Sequence, residues 1–221
     1  MSYAHRWVDG SPVDLPRGKV VCVGHNYAKH VRELGSEMPD EPVLFIKPAT
    51  SLVEMEARPL VLPEGLGEVH HEIEMAMLVS EPIRDMDAAG ARYCIGGYAL
   101  ALDLTLRDVQ NRLKEKGLPW ERAKAFDGSC PVSAFVDARG VSVRQELSLR
   151  LSVNGTQRQQ GHTGEMLFPA FELLSHMSRC FTLEPGDIVL TGTPEGVGPL
   201  QSGDRLEASL GNILSASATI A

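Results

Sequence analysis

Apolar residues in this chain come mostly as short, β-branched runs bounded by glycine and proline, a pattern that predicts strands. Residues 19–24 (KVVCVG) form one such run, and residues 43–47 (VLFIK), fenced by Pro42 and Pro48, form another. The same reading gives strands over 72–79, 93–103, 132–136, 147–153 and 187–190. Asn154-Gly155 separates two alternating segments and predicts a hairpin. Helical periodicity is rarer. Residues 105–116 place Leu106, Val109 and Leu113 on one face, open with Thr105 and Asp108 as a variant capping box, and stop at Gly117. Further helices are expected over 169–180 and over 27–34, the latter closed by Gly35. Strands that outnumber helices without alternating with them predict a β-rich α+β fold.

The 221 residues contain no internal repeat or long linker, so one domain is the simplest division, with residues 1–18 as an N-terminal extension. A net charge of −8 argues against a nucleic-acid surface. No apolar run approaches the roughly 20 residues that span a bilayer, and the first residues carry no signal-like segment. A cytoplasmic protein without a membrane partner is the expectation. The four cysteines, at 22, 94, 130 and 180, form no C-x-x-C pair and are expected as buried free thiols.

The segment HHEIEMAMLV (70–79) is the most informative. On a strand, Glu72 and Glu74 share one face about 7 Å apart, and the apolar residues that follow on both faces predict a strand covered on both sides. Two poorly solvated carboxylates repel each other, and a divalent cation between them relieves both problems. Asp103, ending another apolar run just before a helix, offers a third ligand. Three carboxylates without cysteine favour Mg²⁺ or Mn²⁺ over zinc. Two alternatives stay open at this level. The glutamates could lie on an exposed edge paired with Arg or Lys, or His70 and Glu72 could join His162 or His176 in a two-histidine, one-carboxylate iron site.

His30 and Glu33 are spaced as neighbours on a helix, where the carboxylate would fix the imidazole tautomer and make a general base; standing alone, such a pair is more often a solvated helix face. The polar stretch that follows makes residues 25–40 a candidate lid. Lys124, flanked by Ala123, Ala125 and Phe126, could stabilise an oxyanion. The glycine-rich stretch 190–198 (LTGTPEGVG) lacks Walker-A and G-x-G-x-x-G spacing, but Gly192 and Thr193 could present an N–H and a hydroxyl to a small anion. Lys47, at a strand end, is a comparable candidate for a substrate carboxylate.

Seven ordered blocks together resemble the fumarylacetoacetate hydrolase superfamily, in particular its short acylpyruvate hydrolase and oxaloacetate decarboxylase branch. They are VGHNYAKH (23–30), PVLFIKP (42–48), HHEIE (70–74), GYALALDLTLRDVQ (97–110), GLPWERAK (117–124), VNG (153–155) and LTGTPEGVG (190–198). The resemblance implies a mixed β-sandwich roll and a homodimer. It implies metal ligands at Glu72, Glu74 and Asp103, a water-activating dyad at His30 and Glu33 on a lid, and an oxyanion lysine at Lys124. It also implies substrate contacts at Arg107, Gln110 and Thr193. His25 stands where close relatives often carry Arg, which bears on substrate preference. The expected activity is Mg²⁺- or Mn²⁺-dependent C–C hydrolysis of 3-acylpyruvates. The alternatives are decarboxylation or keto–enol tautomerisation of 2-oxo dicarboxylic acids at the same site, and a metal-binding protein without activity.

Overall fold

The computed structural model describes residues 3–141 and 146–221. In chain order the elements are β1 (Val20–Gly24), α1 (Ala28–Glu33), β2 (Val43–Lys47), β3 (Leu52–Glu54), β4 (Val69–His71), β5 (Ile73–Val79), α2 (Ala88–Ala91), β6 (Ile95–Leu102), β7 (Thr105–Leu106), α3 (Arg107–Glu115), α4 (Glu121–Lys124), β8 (Cys130–Val132), β9 (Val136–Asp137), β10 (Ser148–Val153), β11 (Thr156–His162), α5 (Ala170–Cys180), β12 (Ile188–Leu190), β13 (Gly198–Pro199), β14 (Arg205–Leu210) and β15 (Leu214–Thr219). The fold is a mixed, strand-rich α+β arrangement.

A large sheet runs β2-β1-β12-β5-β6-β8-β3, with β9 added beside β6. Most of its pairs are antiparallel, but β1 pairs with β12, and β3 with β8, in parallel. All seven residues of β5 are buried, because both faces of this sheet are covered. Met75, Met77, Leu100 and Val189 face one apolar cluster, shared with Leu149, Leu151 and Leu210 of the second sheet and with Leu173, Leu174 and Met177 of α5. Ala76, Leu78, Ala99 and Ile188 face the other, closed by Tyr3, Trp7, Leu15 and Phe135. The N-terminal stretch therefore roofs the second face, fastened by hydrogen bonds between Val8 N and Phe135 O (3.0 Å) and between Phe135 N and Arg6 O (2.8 Å).

The second sheet, β11-β10-β14-β15, contains the expected hairpin. Asn154 and Gly155 both have positive φ (52° and 74°), the mirror-image turn that matches strand twist. A third, small sheet, β13-β4-β7, holds the start of α3 against β4.

Several local expectations are corrected. Thr105 does not cap α3: it pairs in β7 opposite His70, and its hydroxyl donates to Asp103 O at 3.0 Å. Asp108 instead accepts from Glu68 N at 3.0 Å. The run 132–136 splits into β8 and β9, and Ser133 Oγ accepts from Leu100 N (3.0 Å) at the gap. The 93–103 strand starts at Ile95, after a tight turn over Arg92–Cys94. Cys22, Cys94 and Cys130 are buried as expected, but Cys180 ends α5 in an exposed position.

Candidate active site

Glu72 sits at the junction of β4 and β5, Glu74 is the second residue of β5, and Asp103 follows the last residue of β6. The β5–β6 register pairs Ile73 with Leu102, and Asp103 N donates to Glu72 O at 2.8 Å. This geometry gathers one oxygen from each of the three carboxylates within 4.8 Å of the others. All three are buried: Glu72 is 5%, Glu74 1% and Asp103 1% exposed.

Three cations surround them. Lys124, on α4, donates to Glu72 Oε2 (2.9 Å), Asp103 Oδ2 (2.5 Å) and Thr105 Oγ1 (2.7 Å), which places all three ammonium hydrogens. Arg107, the first residue of α3, donates to Glu72 Oε1 and, through its other terminal nitrogen, to Gln110 Oε1 (2.6 Å). Lys47 lies 2.8 Å from Asp103 Oδ1. Burial pushes the Glu72 carboxyl up, but the Lys124 and Arg107 charges outweigh it and hold Glu72 below the usual carboxylate range. Burial likewise opposes the Lys124 charge, and Asp103 with Glu72 more than restores it. Glu74 differs. Among the described residues it makes no ion pair; it accepts a hydrogen bond from Gly192 N, and burial followed by the Asp103 and Glu72 charges pushes its carboxyl well up.

These features fit a hard divalent cation. The donor set is oxygen only, and among the described residues Glu74 has no counter-ion of its own and Asp103 Oδ1 accepts no hydrogen bond despite the nearby Lys47. The two rival readings of the glutamates fail on position. They lie inside the sheet rather than on an exposed edge. His70 turns to Glu68 (2.5 Å) and His162 lies 3.6 Å from Glu146, so no two-histidine set forms with Glu72 among the described residues.

The other expected residues divide. His30, Arg107, Gln110, Lys124 and Thr193 line one cleft with Glu72 and Glu74, about 300 Å³ of empty space counted out to its mouth. His30 Nδ1 stands 3.0 Å from Glu33 Oε2, so Nδ1 carries the proton toward the carboxylate and Nε2 is the basic nitrogen. The second Glu33 oxygen accepts from Gly196 N (2.9 Å). Burial raises the Glu33 carboxyl, and the His30 and Gly196 hydrogen bonds overcome it to leave a net lowering. Gly192 has φ +91°, and a Cβ there would fall 2.7 Å from the Asn26 Cβ, so only glycine brings this N–H to Glu74.

Lys47 does not reach the cleft. It is fully buried, and its ammonium donates to the carbonyl of Lys124 and to Ser129 O and Oγ (both 3.1 Å). It backs Asp103 from behind, contrary to the substrate contact expected from its place at a strand end.

Sequence reasoning did not find Trp120 as a cleft wall. Its ring meets His25 edge-on at 5.9 Å between centroids. His25 has a left-handed backbone (φ 61°), and burial, then the Lys114 charge, push its pKa down to about 4. Its imidazole is therefore neutral at pH 7. The adjacent Asn26 was also missed: its amide nitrogen donates to Thr191 O (2.8 Å) and Phe168 O (3.1 Å), fixing the start of the Gly192–Thr193 loop.

Residues 19–221 match the family described as Fumarylacetoacetate (FAA) hydrolase C-terminal. The chain is 54% identical over 203 residues to the oxaloacetate tautomerase YcgM of Escherichia coli, covering 91% of this chain and 92% of that protein. A crystal structure of a fumarylacetoacetate hydrolase family protein from Yersinia pestis superposes with a TM-score of 0.96 at 49% identity, covering 99% of this chain and 100% of the other. The fumarylpyruvate hydrolase of Pseudomonas aeruginosa, solved with Mn²⁺ and pyruvate, superposes with a TM-score of 0.92 at 36% identity, covering 99% and 95%. By sequence match over nearly its whole length, and by the same arrangement of sheets, the chain belongs to the fumarylacetoacetate hydrolase family.

Proposed function

We propose that this protein is a divalent-metal-dependent keto–enol tautomerase of oxaloacetate or a closely similar 2-oxo dicarboxylic acid. This reverses the order of activities expected from the sequence, which put acylpyruvate hydrolysis first. The observation that carries it is one cleft lined by Glu72, Glu74, Lys124, Arg107 and His30, with Glu33 holding His30 and with Asp103 and Lys47 behind the two glutamates. With all groups ionised, Glu72, Glu74, Asp103 and Glu33 stand against Lys47, Lys124 and Arg107, so a divalent ion leaves an excess of about +1 at the cleft. That excess suits an anionic 2-oxo acid, and oxaloacetate and fumarylpyruvate, each with two carboxylates, satisfy it equally. The oxaloacetate tautomerase activity named for YcgM, 54% identical to this chain, puts the tautomerase first.

Glu72, Glu74 and Asp103 would hold Mg²⁺ or Mn²⁺. A cation there supplies positive charge that favours the enolate form of a bound 2-oxo acid. His30, its Nδ1–H held by Glu33, removes a proton at Nε2 from the carbon next to the 2-oxo group. The proton returns at oxygen to give the enol, and the reverse path regenerates the ketone, with no atom gained or lost. Lys124 adds charge rather than a new hydrogen bond, because its three N–H groups are already placed. Arg107, Gln110 and Thr193 line the substrate side of the cleft. His25, Trp120 and Leu34 give it a wall without charge at neutral pH.

The second reading, C–C hydrolysis, is favoured by the His30–Glu33 pair itself, since the same base activates water. A panel of oxaloacetate, acetylpyruvate and fumarylpyruvate, each with Mg²⁺ or with EDTA, separates the two. Accelerated enol–keto conversion of oxaloacetate that EDTA abolishes supports the tautomerase. Pyruvate release from either acylpyruvate at a comparable rate replaces it with the hydrolase.

A further inference from the structure

Gln159 lies on β11, outside the cleft, and is 0% exposed. Its amide makes four contacts. Oε1 accepts from Ile73 N (3.0 Å) and lies 2.9 Å from His71 Nδ1. Nε2 donates to Thr193 Oγ1 and to Pro194 O, both at 2.8 Å. The main-chain partners fix its orientation, because Ile73 N–H only donates and Pro194 C=O only accepts. They also fix His71, which must carry its proton on Nδ1.

The position of these contacts matters. β12 pairs with β5 only from Ala76 to Leu78, so near Ile73 the ladder has no strand to continue it. Gln159 and Thr193 take its place: Ile73 N donates to Gln159, Gln159 donates to Thr193, and Thr193 Oγ1 donates back to Ile73 O (2.7 Å). This closed ring surrounds the one residue between Glu72 and Glu74. β11 also presses directly on the loop after Thr193. Gly196 has φ +95°, and a Cβ there would fall 1.9 Å from Arg158 O, so the two backbones touch. The N–H of this same Gly196 holds Glu33.

We propose that Gln159 is a positioning residue that sets the acidic strand and the Thr193–Gly196 loop at a fixed separation, so that the metal ligands and the His30–Glu33 pair meet across one cleft. The inference rests on the proposed metal-dependent activity for its kinetic readout only; metal affinity tests it independently.

Two variants divide the two halves of the amide. Gln159→Glu keeps an acceptor for Ile73 N and His71 but, ionised, loses both donations to the loop. Gln159→Leu loses all four. Mn²⁺ affinity of the purified protein is measured by titration, and kinetics by enol–keto conversion of oxaloacetate at pH 8. Gln159→Glu is expected to bind Mn²⁺ within about threefold of wild type while its KM rises about tenfold; Gln159→Leu weakens Mn²⁺ by about tenfold or more. If Gln159→Leu does not fold, the Gln159→Glu split alone decides. Equal losses in affinity and KM for Gln159→Glu, or wild-type values of both in the folded variants, overturn the proposal. If wild type itself converts no oxaloacetate, the functional reading fails, while the difference in Mn²⁺ affinity between the two variants still tests the role of Gln159.

Discussion

His30 Nδ1 lies 3.0 Å from one oxygen of Glu33, and the other oxygen of that carboxylate accepts the N–H of Gly196 at 2.9 Å. The carboxylate thus orients the imidazole and fixes α1 to the loop that presents Thr193. Glu33→Gln keeps the size but lets the amide donate, so either the tautomer of His30 or the Gly196 contact is lost. Turnover is expected to fall by about 10- to 100-fold with Mn²⁺ affinity unchanged. Parallel kinetics and Mn²⁺ titration check this; an unaltered kcat would remove His30 from the chemistry.

The two glutamates should respond in opposite ways to the same substitution. Glu72→Gln leaves Lys124 and Arg107 buried with one partner fewer, and should destabilise the metal-free protein by about 3–5 kcal/mol. Glu74→Gln removes a carboxylate with no ion pair while keeping an acceptor for Gly192 N, so metal-free stability should be unchanged or higher. Both should lose the stabilisation on adding Mn²⁺, which for wild type should approach about 2.7 kcal/mol at a hundredfold excess over Kd. Denaturant melts with and without Mn²⁺ read all of these, and equal destabilisation by the two variants would contradict the charge assignment.

Lys47→Met offers a test of its placement behind Asp103. A buried ammonium holding Asp103 and three carbonyl or hydroxyl oxygens should affect stability and Mn²⁺ affinity before it affects KM. A selective rise in KM would return Lys47 to the substrate.

His25 gives a pH signature. Its pKa is about 4 in the folded protein and about 6.5 when unfolded, so the unfolded chain takes up a proton in that window that the folded one refuses. Its contribution to stability is present above pH 6.5 and is lost as pH falls toward 4. His25→Asn, which tolerates the left-handed backbone, should flatten the fall of Tm between pH 6.5 and 4. An unchanged slope would mean that His25 is not held neutral by the cleft wall. His25→Arg, bringing a permanent charge to the mouth, should lower KM for a dicarboxylate.

Much of the site was legible because it rests on local pattern. Two glutamates in an otherwise apolar strand mark Glu72 and Glu74, and a carboxylate at the end of an apolar run marks Asp103. Helical spacing makes His30 and Glu33 neighbours, but only the family resemblance singles them out from an ordinary solvated helix face. What pattern could not supply was pairing at long range. Arg107 looks like an ordinary first-turn helix residue until β4 and β7 bring it to Glu72. Lys47 ends its strand as a substrate contact might, yet β1 and β2 carry it beneath Asp103. Gln159 lies in an outwardly polar hairpin, TQRQQ, where only the register with β10 turns that one glutamine inward.

Exchange of the C3 hydrogens of oxaloacetate with D₂O, followed by proton NMR, tests the proposed proton transfer most directly. With Mg²⁺, wild type should accelerate exchange well above the spontaneous rate without releasing pyruvate. EDTA, Asp103→Asn and His30→Ala should each abolish the acceleration. Exchange at the spontaneous rate, together with rapid pyruvate formation from acetylpyruvate or fumarylpyruvate, would contradict the tautomerase and assign His30 to activation of water.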